Sequence, residues 1–276
     1  SGKHQPRLLA SPIIDVVPRE IESSPELMRL VGYYAAEGRT TTHYTQFVFG
    51  LHEKSLHDDC TALVRGLLRL EPHLSPMIDT NSMRITLHSA AVARFFEKQC
   101  STGSKNKHIP EHLWTASKEE FLAFLEGYSR GDGYHTAEGK LSITSVSQQM
   151  IRELAWLCAM RGIQAGVRET HVPARVIRAG GKEVSASTAW NLIIGKSANP
   201  FRKYTGTADQ FKRPVVESVE RIPYDGYVYD FCGCDSEAFF GGEKPILVHN
   251  SRVRDLFQTA KKAAPAIVFM DEIDAV

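Results

Sequence analysis

Two carboxylates, Glu37 and Asp132, are set in matching surroundings. Gly32-Tyr33-Tyr34-Ala35-Ala36-Glu37-Gly38 and Gly127-Tyr128-Ser129-Arg130-Gly131-Asp132-Gly133 share one order: small residues four apart, an acid at once, then a glycine. The two acids lie 95 residues apart. Brought side by side they would repel and raise each other's pKa, unless a divalent cation held both ionised. Two carboxylates, a hard cation and bound water make a site that can cleave phosphodiesters. For one stretch alone, a core helix ending in a solvated acid is the simpler reading. The recurrence of the whole order favours a shared site.

Helices must position such a pair. Ser117 to Gly133 reads as one, with Ser117 and Glu120 forming a capping box. Phe121, Leu122, Phe124, Leu125 and Tyr128 supply its apolar face. Gly133 is expected to end it with φ > 0. Ser24 to Gly38 is a weaker copy. Gly127 and Gly131 each lower helix propensity by roughly 1 kcal/mol. A helix tolerates this where a second backbone comes close, so Gly32, Ala36, Gly127 and Gly131 are the predicted interface.

LVGYYAAEG and LEGYSRGDG resemble the paired signature helices of LAGLIDADG (dodecapeptide, DOD-type) homing endonucleases, in the form carried by inteins. The resemblance spans residues 25–205 and implies an α+β fold of two pseudo-symmetric αββαββα halves, 25–110 and 111–205. It further implies a monomer with an internal pseudo-dimer, a double-stranded DNA partner, and Mg²⁺ bound by Glu37 and Asp132. Glu37 stands where Asp is commoner in the family, which preserves the charge. A Lys-x-Ile-Pro segment precedes the second signature helix in such proteins, and Lys107-His108-Ile109-Pro110 matches it. Lys107 is thereby assigned a catalytic role, stabilising developing phosphorane charge or orienting water. Lys196 and Lys203 compete for the equivalent role in the other half.

Composition agrees with a globular chain of one large or several small domains: 276 residues, 42% hydrophobic and 24% charged. No apolar run is long enough to span a bilayer. Five irregularly spaced cysteines (Cys60, Cys100, Cys158, Cys232, Cys234) suit reduced thiols and a cytoplasmic setting. Net charge is only +1, but it is uneven. Residues 161–213 carry ten Lys/Arg against three Asp/Glu, whereas 214–250 carry two against seven. The first stretch could face phosphate, the second could not.

Taken in order, 1–24 reads as a linker or the tail of a truncated upstream part. Strands are expected at 44–51, 83–88, 140–144, 163–169 and 189–194, and helices at 55–70, 90–99 and 148–161. Helix–strands–helix–strands thus occurs twice. Outward residues of the two sheets would read two DNA half-sites. Arg168, Arg175, Arg178, Lys182, Lys196, Arg202 and Lys203 are candidates for phosphate contact.

Texture changes from Val215. Strands are expected at 215–219 and 226–231 around a turn at 223–226, and Ile246-Leu247-Val248-His249-Asn250-Ser251 follows. His249-Asn250-Ser251, preceded by VYDFCGCDSEAFFGG, resembles the downstream splice junction of an intein, making 206–250 a partial all-β Hint segment. By that resemblance the Asn250 amide closes a succinimide on its own carbonyl, and His249 donates to that carbonyl or the departing amine. Ser251 is the acceptor hydroxyl and Asp230 an assisting acid. Glu237 replaces the second histidine of many inteins. The family's upstream splicing half is absent from this sequence, so the chain alone is expected to cleave after Asn250 at most, and only with that half supplied in trans.

Residues 251–276 form a different piece: a helix, Pro265, and an apolar strand ending in Asp271-Glu272. That is a Walker B arrangement, Asp271 assisting Mg²⁺ and Glu272 polarising water. The segment resembles a host AAA+ ATPase of the FtsH type. No GxxxxGK[ST] loop accompanies it, so it is not expected to hydrolyse ATP. The competing readings are a catalytically degenerate DNA-binding remnant and a fragment serving only the ATPase host.

Overall fold

The computed structural model describes residues 17–177, 182–202, 218–227, 238–242 and 244–249. The chain divides into two compact units, 1–210 and 211–276. The first holds α1 (Pro25–Glu37), β1 (Gly38–Thr40), β2 (Thr45–Gly50), α2 (Lys54–Leu63), β3 (His73–Met77), β4 (Ser82–Leu87) and α3 (Ala90–Cys100). It continues with α4 (Lys118–Asp132), β5 (Gly133–His135), β6 (Leu141–Ser145), α5 (Gln148–Met160), β7 (Ala165–Val172), β8 (Arg175–Ile177), β9 (Lys182–Val184) and β10 (Ser187–Ile194). The second unit contains β11 (Ala238–Gly241) and β12 (Ile246–His249). The fold is mixed α+β with antiparallel sheets.

The order within the two large sheets shows the duplication. One runs β1-β2-β4-β3, the other β5-β6-β10-β7, and every adjacent pair is antiparallel. Each is entered directly from a helix ending in Glu37 or Asp132. The β8–β9 hairpin is an addition to the second half.

Strong N-terminal signals start both helices. The Ser24 side chain accepts from the Leu27 N–H, with Pro25 at the first helical position. Ser117 and Glu120 form the reciprocal capping box. Burial then follows the apolar face: Leu30, Val31, Tyr33 and Tyr34 in α1, and Phe121, Phe124, Leu125 and Tyr128 in α4, are all inside. Tyr34 stacks on Phe96 of α3 with ring centroids 4.7 Å apart, and Tyr33 meets Phe49 of β2 edge-on. Asp59 of α2 accepts from Arg29 and Tyr33 of α1 and from Arg130 of α4, tying α2 to both.

The two long helices touch backbone to backbone. A methyl group at Gly32 would lie 2.3 Å from the Phe124 carbonyl oxygen, and one at Gly127 would lie 2.2 Å from that of Arg29. Gly131 faces Ala36, whose Cβ would be 2.6 Å from an added methyl. All four predicted interface residues therefore lie in the seam.

Several sequence expectations differ from what is found. Gly133 has φ −99° and Gly38 −91°, both extended, so neither is there for positive φ. A side chain at Gly133 would lie 2.2 Å from the Ser129 carbonyl, and one at Gly38 2.2 Å from the Tyr34 ring, so bulk excludes other residues. The helix expected over 55–70 is α only to Leu63, continues as a wider π turn, Val64–Leu68, and stops at Arg69 with φ 54°. The strand expected at 163–169 occupies Ala165–Val172. Residues 218–219 and 226–227, expected in strands, carry no regular structure. Residues 215–217 and 228–231 lie outside the described residues. No helix among the described residues is long and apolar enough to cross a membrane.

The seam yields a direct test. Gly127→Ala places its methyl against a backbone carbonyl that cannot move alone, so it should lose at least the roughly 1–3 kcal/mol typical of overpacking. Gly66→Ala, with nothing within 4 Å, should be neutral or stabilise by up to about 1 kcal/mol. Denaturant melts of the two variants check this, and equal midpoints would rule out a tight seam.

Candidate active site

The helix pair ends in a cavity of about 470 Å³. Its lining includes Glu37 at the end of α1, Asp132 at the end of α4, and Lys107 from the connection between the halves. Three residues singled out from sequence thus share one cavity wall. Both acids occupy the C-terminal residue of a helix, where the macrodipole is negative and an anion is unfavourable. The same local rule is broken twice at one place.

Partial desolvation compounds this: Glu37 is half-buried, and Asp132 lines the cavity while keeping solvent exposure. The Asp132 carboxyl is pushed up to about 7, first by burial and then by the charge of Glu37, with Lys107 opposing. Glu37 is also raised, by burial and by Glu53. The charge of Glu37 is thus one cause that holds the Asp132 proton towards neutral pH.

Lys107 is placed unlike a surface lysine. Its side chain is buried, its Nζ donates to the Tyr34 carbonyl oxygen at 2.8 Å, and it lies 3.5 Å from the centroid of the Tyr34 ring. It thereby serves a carbonyl in the last turn of α1 and places positive charge at that negative end. Burial lowers its ammonium to about 8, against the pull of Cys100 and Asp132. Its backbone is held from the other half: Ser147 Oγ donates to the Lys107 carbonyl, and the Ile109 N–H donates to Glu153 of α5 at 2.8 Å. The Lys-x-Ile-Pro segment is a strap between the halves.

The donor set suits a hard divalent cation. Two carboxylates and two helix C-termini present oxygen and negative charge in one cavity, and mutual repulsion would be relieved by such an ion. Among the described residues no group of three or more His, Cys, Asp and Glu side chains converges on one point. A cation held by one or two carboxylates, with water and substrate oxygens completing its shell, is the Mg²⁺ pattern.

Other predicted residues lie elsewhere. Arg168 is on the outer face of β7, paired across the ladder with Asn191, which in turn neighbours Thr144. Arg175 and Lys182 are in the β8–β9 hairpin. Lys196 and Arg202 flank the turn at Gly139, and neither is among the residues lining the cavity. Arg178, Lys203, Asp230, Asn250, Ser251, Asp271 and Glu272 lie outside the described residues. His249 ends β12 opposite Ala238, in an antiparallel hairpin. Cys60, Cys100 and Cys158 are buried free thiols. Sequence reasoning missed Arg39, Ser104, Thr144 and Ser145 in the cavity lining. Arg39 was legible in principle, two residues past the acid in a strand beginning at Gly38.

Comparisons with known proteins divide along the chain. The family described as "ATPase family associated with various cellular activities (AAA)" matches residues 231–276, beginning before the boundary expected at 250/251. A DNA polymerase of Thermococcus kodakarensis is 27% identical over 271 residues, covering 84% of this chain and 16% of the polymerase. A replication factor C small subunit of Methanocaldococcus jannaschii is 24% identical over 324 residues, 90% of this chain and 17% of that protein. The ATP-dependent zinc metalloprotease FtsH of Leuconostoc mesenteroides is 42% identical over 71 residues, 26% of this chain and 9% of the protease. The chain spans about a sixth of the length of the first two. Among solved structures, the homing endonuclease I-DmoI in complex with DNA and Ca gives a TM-score of 0.44 at 11% identity, covering 63% of this chain and 85% of that one. Full-length DUF199/WhiA from Thermatoga maritima gives 0.43 at 15%, covering 64% and 53%.

Stability should report the electrostatic conflict. The folded-state pKa of Asp132, about 7, lies above an unfolded value near 3.8, so the folded state binds more protons in that window. Stability therefore falls as pH rises from about 4 to 7, and the full penalty persists above. With chelator present at pH 8, Asp132→Asn should melt higher than the wild type, and the gap should shrink as pH is lowered towards 4. Adding Mg²⁺ or Mn²⁺ should raise the wild-type Tm and leave the variant's unchanged.

Proposed function

We propose that residues 25–205 are a site-specific, Mg²⁺-dependent double-strand DNA endonuclease carried by an intein, inserted in an AAA+ ATPase host. The observation that carries this reading is the pair of carboxylates at two helix C-termini that share one cavity across a glycine seam. A structural role would not place two anions at the wrong helix ends beside one another. The distribution of relatives supports the insert: much of this chain recurs within a polymerase and a replication factor, while a shorter part matches a protease of the FtsH type. A mobile segment lodged in different hosts leaves that trace.

In this reading Glu37 and Asp132 hold the divalent cation, one carboxylate serving each strand. The bound ion supplies Lewis-acid polarisation of the scissile phosphate and lowers the pKa of water. Lys107 places fixed positive charge beside the acids, and the strap through Ser147 and Glu153 keeps it there. Sheet faces on both halves lie against the duplex.

The β11–β12 hairpin, ending at His249, supports a splicing segment before Asn250. There the Asn250 side-chain nitrogen attacks its own carbonyl carbon and closes a succinimide. The peptide bond to Ser251 breaks, and the departing amine takes a proton that His249 would give. Ser251 presents the hydroxyl that would accept an upstream acyl group.

Incubating the protein and Mg²⁺ with duplex DNA spanning the uninterrupted host gene should cut both strands at one site, and chelator should stop it. Asp132→Asn should abolish cutting, a loss of at least about 10³-fold, while DNA binding in a mobility-shift assay stays within a few-fold of wild type. Binding without cutting by the wild type would assign a DNA-binding remnant instead.

A further inference from the structure

The two sheets offer chemically different faces to a ligand. Alternation places Phe47 and Ile85 of the first sheet against the helices, so their neighbours Gln46 and Thr86 point the other way. One cross-strand row on that outer face reads Arg39, Gln46, Thr86, His73. The row in the same place on the second sheet reads Tyr134, Ser142, Ile193, Gly166. The first has a guanidinium where the second has a phenol that is 67% exposed.

Arg39 is held with care. Its Nε and one terminal nitrogen both donate to Gln46 Oε1, at 2.9 and 2.6 Å, and Gln46 Nε2 donates to Thr86 Oγ1 at 3.2 Å. Gln46 and Thr86 are themselves buried, 7% and 5% exposed. The chain fixes the amide's orientation and, through it, the plane of the guanidinium. The partner is neutral, and among the described residues no carboxylate lies within ion-pair distance of Arg39. Its charge is therefore oriented without being cancelled, and its outer pair of N–H groups keeps the fork that matches two phosphate oxygens. Arg39 also lines the cavity of Glu37 and Asp132. On the same face Arg84 has a buried Nε without a hydrogen-bond partner.

We propose that Arg39, positioned by Gln46, clamps a backbone phosphate of the DNA strand lying against the first sheet, and that Tyr134 at the matching position of the second sheet provides no such clamp, so the two strands are cut at unequal rates. The proposal rests on the nuclease reading for its substrate. Arg39 is the binding residue, and Gln46 acts through it.

The full chain is tested on duplex DNA spanning the uninterrupted host gene, with each strand end-labelled separately. A nicked intermediate in one strand is expected for the wild type. Arg39→Ala should slow cutting of one strand at least tenfold and leave the other within about twofold. Gln46→Glu, which keeps the shape but cancels the charge, should act like Arg39→Ala, and Arg39→Lys should restore binding but not the strand-specific rate. Binding is measured in the Asp132→Asn background across several salt concentrations. There Arg39→Ala should lower the slope of log affinity against log salt by about one, as expected for one lost phosphate contact, with Arg39→Lys restoring it. An unchanged slope, or equal slowing of both strands, would overturn the proposal. A wild type that binds but cuts neither strand would defeat the nuclease reading alone, and the salt slope would still decide the phosphate contact.

Discussion

Everything at the site depends on how closely two helix backbones approach. At Gly32 and Gly127 the contact is reciprocal, each glycine lying against a carbonyl of the opposite helix. Larger residues there would separate the helix axes and, with them, the two C-terminal residues that follow one turn later. The pairing of Glu37 with Asp132 is thus a consequence of missing side chains. Large apolar residues around the seam, Tyr33, Tyr34, Phe124 and Tyr128 among them, supply the burial that holds the contact shut.

This closeness creates an electrostatic conflict and partly answers it. Two carboxylates and two helix C-termini put negative charge into one cavity, and Asp132 responds by holding its proton to about neutral pH. Lys107 offsets some of that charge from below, anchored to the Tyr34 carbonyl and stacked on its ring. Because the lysine is buried under the site, its contribution is a fixed field more than a mobile side chain. Its carbonyl is held by Ser147 of the second half and its ammonium by Tyr34 of the first, so one residue registers both.

Sequence revealed this arrangement where the physics is local and repetitive. Ser24 and Ser117 cap, the apolar faces alternate with helical period, and the order small-x-x-x-small-acid-glycine recurs, so both helices and their seam were legible. Gly133 was legible as a helix terminator, but for the wrong reason. A glycine after a helix suggests positive φ, whereas only the neighbouring Ser129 carbonyl shows that volume is the constraint. The three-residue strands β1 and β5 are too short to show a period, and their existence comes from pairing with β2 and β6.

Duplication explains what is shared, and divergence shows where constraint was relaxed. The seam, the terminal acids, the glycines after them and the strand order are kept in both halves, since altering any one alone would spoil the meeting of the carboxylates. The outer faces carry no such mutual constraint. In the first sheet the polar row is Arg39-Gln46-Thr86, whereas in the second the hydrogen-bonded polar side chains are Thr144 and Asn191, one row along, and Thr170, a row further. Same-face rows are two residues apart, or about 7 Å. A rigid ligand lying across both sheets would meet polar groups at different distances from the acids on its two sides. Symmetry is preserved where the two halves must act on each other, and lost where each acts on something else.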